Sequence, residues 1–205
     1  MLELFGYTTG NTFRAAIALE EAGLEYQQRR VDLRLSEHKA GEYRLVNATG
    51  RIPTLIDSDG PDGERLVLTQ SNAILLYIAE KSGKLLPAGG VERARALEWL
   101  FFFVTDVIAP SHQAFYLRSG SASGDLEKAA HQLDARSLSM YEHVDRQLAG
   151  HTFIAGDSFT VADIAGYTIT AAIASQLTGT LSNLARWFRV VGARPAVKRG
   201  MAVFG

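Results

Sequence analysis

One stretch restricts the fold more than any other. It is Arg51-Ile52-Pro53-Thr54-Leu55-Ile56-Asp57, followed after a Gly-rich turn by Leu66-Val67-Leu68-Thr69-Gln70-Ser71-Asn72-Ala73-Ile74. Thr54 to Ile56 reads as a short buried strand and Leu66 to Leu68 as its partner, with Ser58-Asp59-Gly60-Pro61-Asp62-Gly63 supplying the turn, so the stretch predicts a β-hairpin. Pro53 has no N–H for a ladder and holds its predecessor extended, which places it at the mouth of its strand with the peptide groups of Ile52 facing outward. Beyond the hairpin, residues 73–81 carry a helix pattern with Ser71 expected at the N-cap. A helix start with a hydroxyl and an amide beside it suits a carboxylate. An extended backbone edge and an anion site are therefore expected side by side.

The 205 residues allow one domain or two small ones. With 47% hydrophobic residues, 21% charged and a formal net charge of −1, the composition is that of an ordinary globular protein. It argues against disorder and against a long-range pull on nucleic acid or acidic membranes. No apolar run approaches the ~18 residues of a membrane span, and Met1-Leu2-Glu3 lacks a signal peptide's basic start, so cytoplasmic residence is expected. Cysteine is absent, which excludes disulfides, thiolate zinc sites and a cysteine nucleophile of the chain's own. Any thiol chemistry has to use a thiol brought in by a ligand. His38, His112, His131, His143 and His151 show no close pairing, and no metal is expected.

In chain order, residues 2–5 read as a strand. Gly6-Tyr7-Thr8-Thr9-Gly10-Asn11 is a polar turn, and a helix is expected over 12–22, closed by Gly23. Ala15, Ala16, Leu19 and Ala22 form one stripe of that helix, while Phe13 and Ile17 lie nearly opposite and are expected to meet a second domain. A strand over 26–32 and a charged helix or irregular segment over 36–46 complete a βαβαββα order over residues 1–81. Four Gly or Pro residues between 82 and 90 read as a linker, and 91–205 as an all-helical domain. There a helix over 91–118 is apolar nearly all round at Trp99–Val104, which predicts domain core plus a subunit interface. A flexible loop over 118–124 and a helix over 125–148 follow. Thr160 and Asp163 form a capping-box variant with Phe159 and Ile164 as a staple, and a last helix is expected over 181–191.

The residues Leu2-Glu3-Leu4-Phe5, Arg51-Ile52-Pro53, Gln70-Ser71-Asn72-Ala73-Ile74 and Phe159-Thr160-Val161-Ala162-Asp163-Ile164, in that order and spacing, resemble the cytosolic glutathione transferases over essentially the whole chain. The resemblance implies a thioredoxin-like N-terminal domain, an all-α C-terminal domain and a homodimer. It implies glutathione as co-substrate, held at the γ-glutamyl amine by Gln70 and at its carboxylate by Ser71. Many relatives have Glu where this chain has Gln70. It also implies a cis Ile52–Pro53 peptide, with Ile52 pairing to the cysteinyl backbone of glutathione like an added strand. His38 and Lys39, and with them Arg51, are implied in reaching the glycine carboxylate. Asn47-Ala48-Thr49-Gly50 stands where the family has Asn-Pro-x-Gly. Thr9 and Asn11 resemble the Thr/Asn pair of bacterial Nu-type enzymes as thiol activators, Thr9 also lying near the Ser of the theta and zeta types, with Tyr7 and Thr8 as alternatives.

Taken on local chemistry alone, the same residues have plainer readings: a helix start at Gln70-Ser71, a trans proline at 53, solvated side chains at His38, Lys39 and Arg51, and turn chemistry over 7–11. The implied activity is attack of the bound glutathione thiolate on a small hydrophobic electrophile, placed near Thr9 and the middle of the 91–118 helix, where Phe102, Asp106 and Phe115 are candidates. Reduction of small disulfides by glutathione is the enzymatic alternative, and a non-catalytic binding module is the rival from another class.

Overall fold

The computed structural model describes residues 1–119 and 124–205, so most of the loop expected over 118–124 lies outside the described residues. The chain divides into two compact units, one formed by Met1–Leu86 together with Gly192–Gly205, the other by Pro87–Val191.

The first unit holds β1 (Leu2–Gly6), α1 (Gly10–Ala22), β2 (Tyr26–Arg30), α2 (Gly41–Val46), β3 (Thr54–Asp57), β4 (Leu66–Thr69) and α3 (Ser71–Ser82). Residues 36–46, expected as one segment, contain a 3-10 turn at Glu37–Lys39 and then α2. The sheet order is β2-β1-β3-β4; β1 runs parallel to β2 from the Leu2–Tyr26 pair, and β3 is antiparallel to both β1 and β4. The parallel pair needs a crossover, which α1 provides. Every residue of β3 is buried, as a strand with neighbours on both edges and helices over the sheet requires. Leu4, Ala15, Ala16, Leu19, Leu55, Ile74, Leu75 and Ile78 form the core.

The second side of α1 corrects the sequence reading. Ile17 does not await another domain: it is fully buried against a helix from the far end of the chain, Pro195–Met201, within the same unit. A Cβ at Gly200 would stand 2.6 Å from Ile17 Cγ1 and 2.7 Å from its Cα, so the absent side chain is what lets the two helices approach this closely. Two ion pairs flank the contact, Arg194 bidentate on Glu21 (2.6 and 2.7 Å) and Arg199 on Glu20 (2.6 Å). Residues 192–205, expected within the helical domain, therefore belong to the first unit.

The second unit contains α4 (Gly90–Phe102), a π-helical turn (Phe103–Ile108), α5 (Ala109–Ser119), α6 (Gly124–Leu148), α7 (Val161–Thr170), α8 (Ala174–Leu177) and most of α9 (Ser182–Ala193); the helix at Pro195–Met201 is α10. The single helix expected over 91–118 is thus interrupted. Pro110 offers no N–H to the carbonyl of Asp106, and the widened turn just before it absorbs the mismatch. Within Trp99–Val104 the unit's own core takes Trp99, Leu100 and Phe103, and in that run only Phe101 is exposed, at 54%. The apolar surface from which a subunit interface was expected is accordingly much smaller than the sequence suggests.

The capping box at the start of α7 is formed. Asp163 is fully buried and accepts from the N–H groups of Thr160 and Ile154 (2.9 Å each), from Trp187 Nε1 (2.8 Å) and from the Thr160 hydroxyl (3.3 Å). Burial raises its carboxyl to about 6, against those four donors. The ring of Phe159, expected as a staple on Ile164, packs edge-on against Phe153 with centroids 5.7 Å apart.

Candidate active site

The β1–α1 loop starts its helix earlier than expected. Thr9 has extended φ/ψ and is the N-cap of α1, its Oγ1 accepting from Thr12 N at 3.3 Å. Thr12 is fully buried; its Oγ1 accepts from Tyr7 N (3.4 Å) and lies 3.1 Å from Thr9 Oγ1. A buried hydroxyl proton needs an acceptor, and Thr9 Oγ1 is the side-chain oxygen beside it. With Thr12 as the donor of this pair, the Thr9 O–H is left to donate elsewhere; with Thr9 as the donor, its proton goes to Thr12. Asn11 accepts through Oδ1 from Arg14 Nη1 at 2.8 Å, which turns its amide hydrogens away from Arg14.

The alternatives in this loop are placed differently. The Tyr7 ring faces two guanidinium groups, Arg30 at 4.9 Å and Arg34 at 5.7 Å, in cation–π contact. Thr8 is exposed.

The peptide Ile52–Pro53 is cis. The ladder begins at Thr54, paired to Phe5 and Thr69, so the peptide groups of Ile52 lie beyond it. Two residues that the sequence reading did not single out brace this turn. Tyr43 donates its hydroxyl to the Arg51 carbonyl (2.7 Å), Asn47 Nδ2 donates to the same carbonyl (2.6 Å), and both reach Thr54 Oγ1 (2.9 and 3.2 Å). Burial raises the Tyr43 phenol, which keeps it a donor. Asn47 opens the Asn-Ala-Thr-Gly step, and that turn was the available signal. At its end Gly50 has φ +62°, and a Cβ there would lie 2.7 Å from the His38 carbonyl oxygen. His38 is thereby set against the Arg51-Ile52 turn, with its Nδ1 buried and unpartnered. Lys39 and Arg51 are exposed.

At the start of α3 the N-cap position belongs to Gln70, not to Ser71. Gln70 has φ 70° and ψ 107°, a conformation that costs a non-glycine residue energy, and its side chain is exposed without capping the helix. Ser71 is the first helical residue and caps nothing; its Oγ accepts from Arg14 Nη1 at 2.7 Å. The first N–H groups of α3 remain without intrahelical partners, as at any helix start. The positive φ at Gln70, which shifts the helix boundary by one residue, has no signature in the sequence.

These segments fall at one end of the sheet: β1 delivers Gly6 and the Thr9 loop, β3 begins there after Ile52, and β4 ends there in Thr69 before Gln70. Arg14 ties Asn11 to Ser71, and Gly50 sets His38 beside Arg51 and Ile52. Lys39 is adjacent in sequence but exposed. Phe102, Asp106 and Phe115 belong to the second unit. There Phe102 packs edge-on against Trp99 and Phe103, Asp106 faces Arg136 at 3.8 Å, and Phe115 is exposed and edge-on to Tyr116. Among the described residues no group of three or more His, Asp or Glu side chains could hold a metal, and no helix is long and apolar enough to cross a membrane.

A four-stranded thioredoxin-like sheet here brings together a cis-proline turn, an open strand edge and a helix N-terminus. Comparisons with known proteins specify the class. Residues 1–80 match the family description "Glutathione S-transferase, N-terminal domain" and residues 104–195 match "Glutathione S-transferase, C-terminal domain". The chain is 30% identical to the disulfide-bond oxidoreductase YghU of Escherichia coli over 98% of its own length and 74% of that protein's. To the disulfide-bond oxidoreductase YfcG of the same organism it is 31% identical over 80% of its length and 77% of that protein's. Among solved structures it superposes on a glutathione transferase family member from Pseudomonas fluorescens pf-5 with two glutathione bound, at TM-score 0.87 and 29% identity over 98% and 92% of the two chains. A glutathione transferase from Pseudomonas putida with one glutathione disulfide bound per subunit gives TM-score 0.84 and 28% identity over 100% and 92%. The chain belongs to the glutathione S-transferase family and has its fold.

Proposed function

We propose that the protein is a glutathione transferase in which bound glutathione, as thiolate, attacks a small hydrophobic electrophile. The observation that supports this most directly is the convergence, at one end of the sheet, of the unladdered Ile52 edge, the N-terminus of α3 and the Thr9 hydroxyl at the start of α1. In this reading Ile52 pairs with the cysteinyl backbone. Ser71 donates to the γ-glutamyl carboxylate, helped by the partial positive charge of the helix start, and Gln70 takes the ammonium. His38, Lys39 and Arg51 serve the glycine carboxylate. Thr9 and Asn11 donate to the sulfur, at the N-terminus of α1 where a thiolate is favoured.

A second reaction, reduction of small disulfides by glutathione, uses the same thiolate. It is supported by the likeness to YghU and YfcG, both named as disulfide-bond oxidoreductases. The test is calorimetric titration with glutathione, followed by two assays, conjugation to an aryl halide and reduction of a small disulfide. Binding with turnover in either assay supports an enzyme and says which reaction dominates. Binding without turnover leaves a glutathione-binding module, and absence of binding refutes the proposal. The reading includes a cytoplasmic homodimer, as for the cytosolic transferases its motifs resemble. Sedimentation at micromolar concentration returning a monomer of 22.3 kDa would contradict that assembly.

A further inference from the structure

Arg14 is among the largest fully buried side chains of the protein, 1% exposed, and it carries a charge into the interior of the first unit. Nη1 spends its two hydrogens on Asn11 Oδ1 at 2.8 Å and Ser71 Oγ at 2.7 Å, while Nε is buried and unpartnered. Among the described residues no carboxylate pairs with it. Burial alone lowers its pKa, to about 10, so at neutral pH the guanidinium stays charged. A buried cation held by two neutral acceptors is an expensive arrangement for stability alone, because two neutral hydrogen bonds offset only part of its lost hydration.

The two acceptors are the informative part. One stands on the first turn of α1, in the loop assigned above to the thiol, and the other opens α3, at the end assigned to the γ-glutamyl carboxylate. By occupying Asn11 Oδ1, Arg14 selects the orientation in which the amide hydrogens face away from it, and a thiolate needs donors. By occupying a lone pair of Ser71 Oγ, it leaves that hydroxyl's own proton for an external acceptor, which a carboxylate is.

We infer that Arg14 is a positioning residue that orients Asn11 toward the sulfur and Ser71 toward the γ-glutamyl carboxylate at once, with the bound peptide supplying the anions its charge lacks. The inference rests on the glutathione reading given above. A lysine at this position keeps a cation but presents a compact ammonium on a flexible stem, unlike the planar fork that fixes two acceptors in one geometry.

The experiment compares wild type, Asn11→Ala, Arg14→Met and Arg14→Lys by thiolate absorbance of the glutathione complex against pH and by calorimetry with S-methylglutathione. Circular dichroism establishes that each variant is folded, and Arg14→Lys carries the test if Arg14→Met does not fold. The expected result is a bound-thiol titration displaced upward in both Arg14 variants by at least half a unit, about three-fold less thiolate below the pKa. Arg14→Met should also bind S-methylglutathione about ten-fold more weakly, and Arg14→Lys should recover most of that affinity without recovering the titration. A residue that only supported the fold would lower the melting temperature and leave the titration of the folded fraction in place. Unchanged titrations in the folded Arg14 variants, with the Asn11→Ala titration displaced, overturn the inference and leave the glutathione reading standing. A wild-type complex whose thiol titrates like free glutathione overturns the thiolate reading and this inference with it.

Discussion

Thr9 caps α1, the proposed function also makes it a donor to the sulfur, and substitution can separate the two. As an acceptor it caps α1 through Thr12 N; as a donor, in the proposed site, it gives its proton to the sulfur while Thr12 is the donor of the hydroxyl pair. Thr9→Ala removes both. The cap contributes about 0.5–2 kcal/mol, and for a chain of this size each kcal/mol moves the melting temperature by roughly 2–4 °C. A donor to a charged group contributes about 1.5–3 kcal/mol, and at 1.36 kcal/mol per unit this raises the bound thiol by about one to two units. The rate at a pH below the new pKa should then fall about 10- to 100-fold. Thr9→Asp is the discriminating variant. A carboxylate caps a helix as well as a hydroxyl does, but it has no proton to give and sets a negative charge beside the sulfur. It should melt within a few degrees of wild type and yet show the higher thiol pKa of the two. Thr9→Ser should behave as wild type in both assays. Melting followed by circular dichroism and thiolate absorbance against pH are sufficient. An Asp variant whose bound thiol titrates like the wild type's would refute the donor role, and an Ala variant with unaltered melting would refute the cap.

Three further outcomes are expected. Ser71→Ala should weaken glutathione binding by about 1–3 kcal/mol in calorimetry, without loss of a cap, since Ser71 caps nothing; unchanged affinity in the folded variant would remove Ser71 from the site. Gly200→Ala would gain stability on helix propensity, but its Cβ meets the Ile17 backbone, so a loss of about 1–3 kcal/mol by overpacking is expected in urea denaturation at unchanged slope. Asp163→Asn should cost about 2–4 kcal/mol at pH 7.5, because an amide nitrogen then faces N–H donors. The folded carboxyl titrates near 6 against an ordinary value of 3.8. Stability from this group is therefore full below the lower value and lost as pH rises through the upper one, so the gap between wild type and variant should widen from pH 7.5 to pH 5. A gap that narrows contradicts that direction.

The legible parts of the sequence were those with local chemistry. The turn from Ser58 to Gly63 divides β3 from β4, Gly23 closes α1 with φ +72°, and Thr160 with Asp163 starts α7, each for a reason contained within a few residues. What escaped depends on distant partners or on a single dihedral. The last helix was expected over 181–191, yet proline suits a first helical turn, and α10 begins at Pro195. A serine before an apolar run looks like an N-cap, and only the backbone of Gln70 shows that the boundary lies one residue earlier. Arg14 in a helix of alanines resembles a surface charge until α3 is laid across it. Of the candidate site, the residues were legible through family motifs, but the braces Tyr43 and Asn47 and the tie Arg14 were not, because their contacts span turns that no period encodes.

The return of residues 192–205 to the first unit makes the helical unit an insertion in the chain: the polypeptide leaves one body after Leu86 and re-enters it at Gly192. On the ribosome, α1 emerges long before the helix that covers Ile17, so α1 waits for that neighbour until the whole helical unit has been made. A fragment cut at the apparent linker would carry the whole sheet but leave a naked seam along α1, with the ion pairs of Glu20 and Glu21 beside it lost. To be soluble by itself, such a fragment would have to carry the final fourteen residues, rejoined to Leu86 by a short artificial loop.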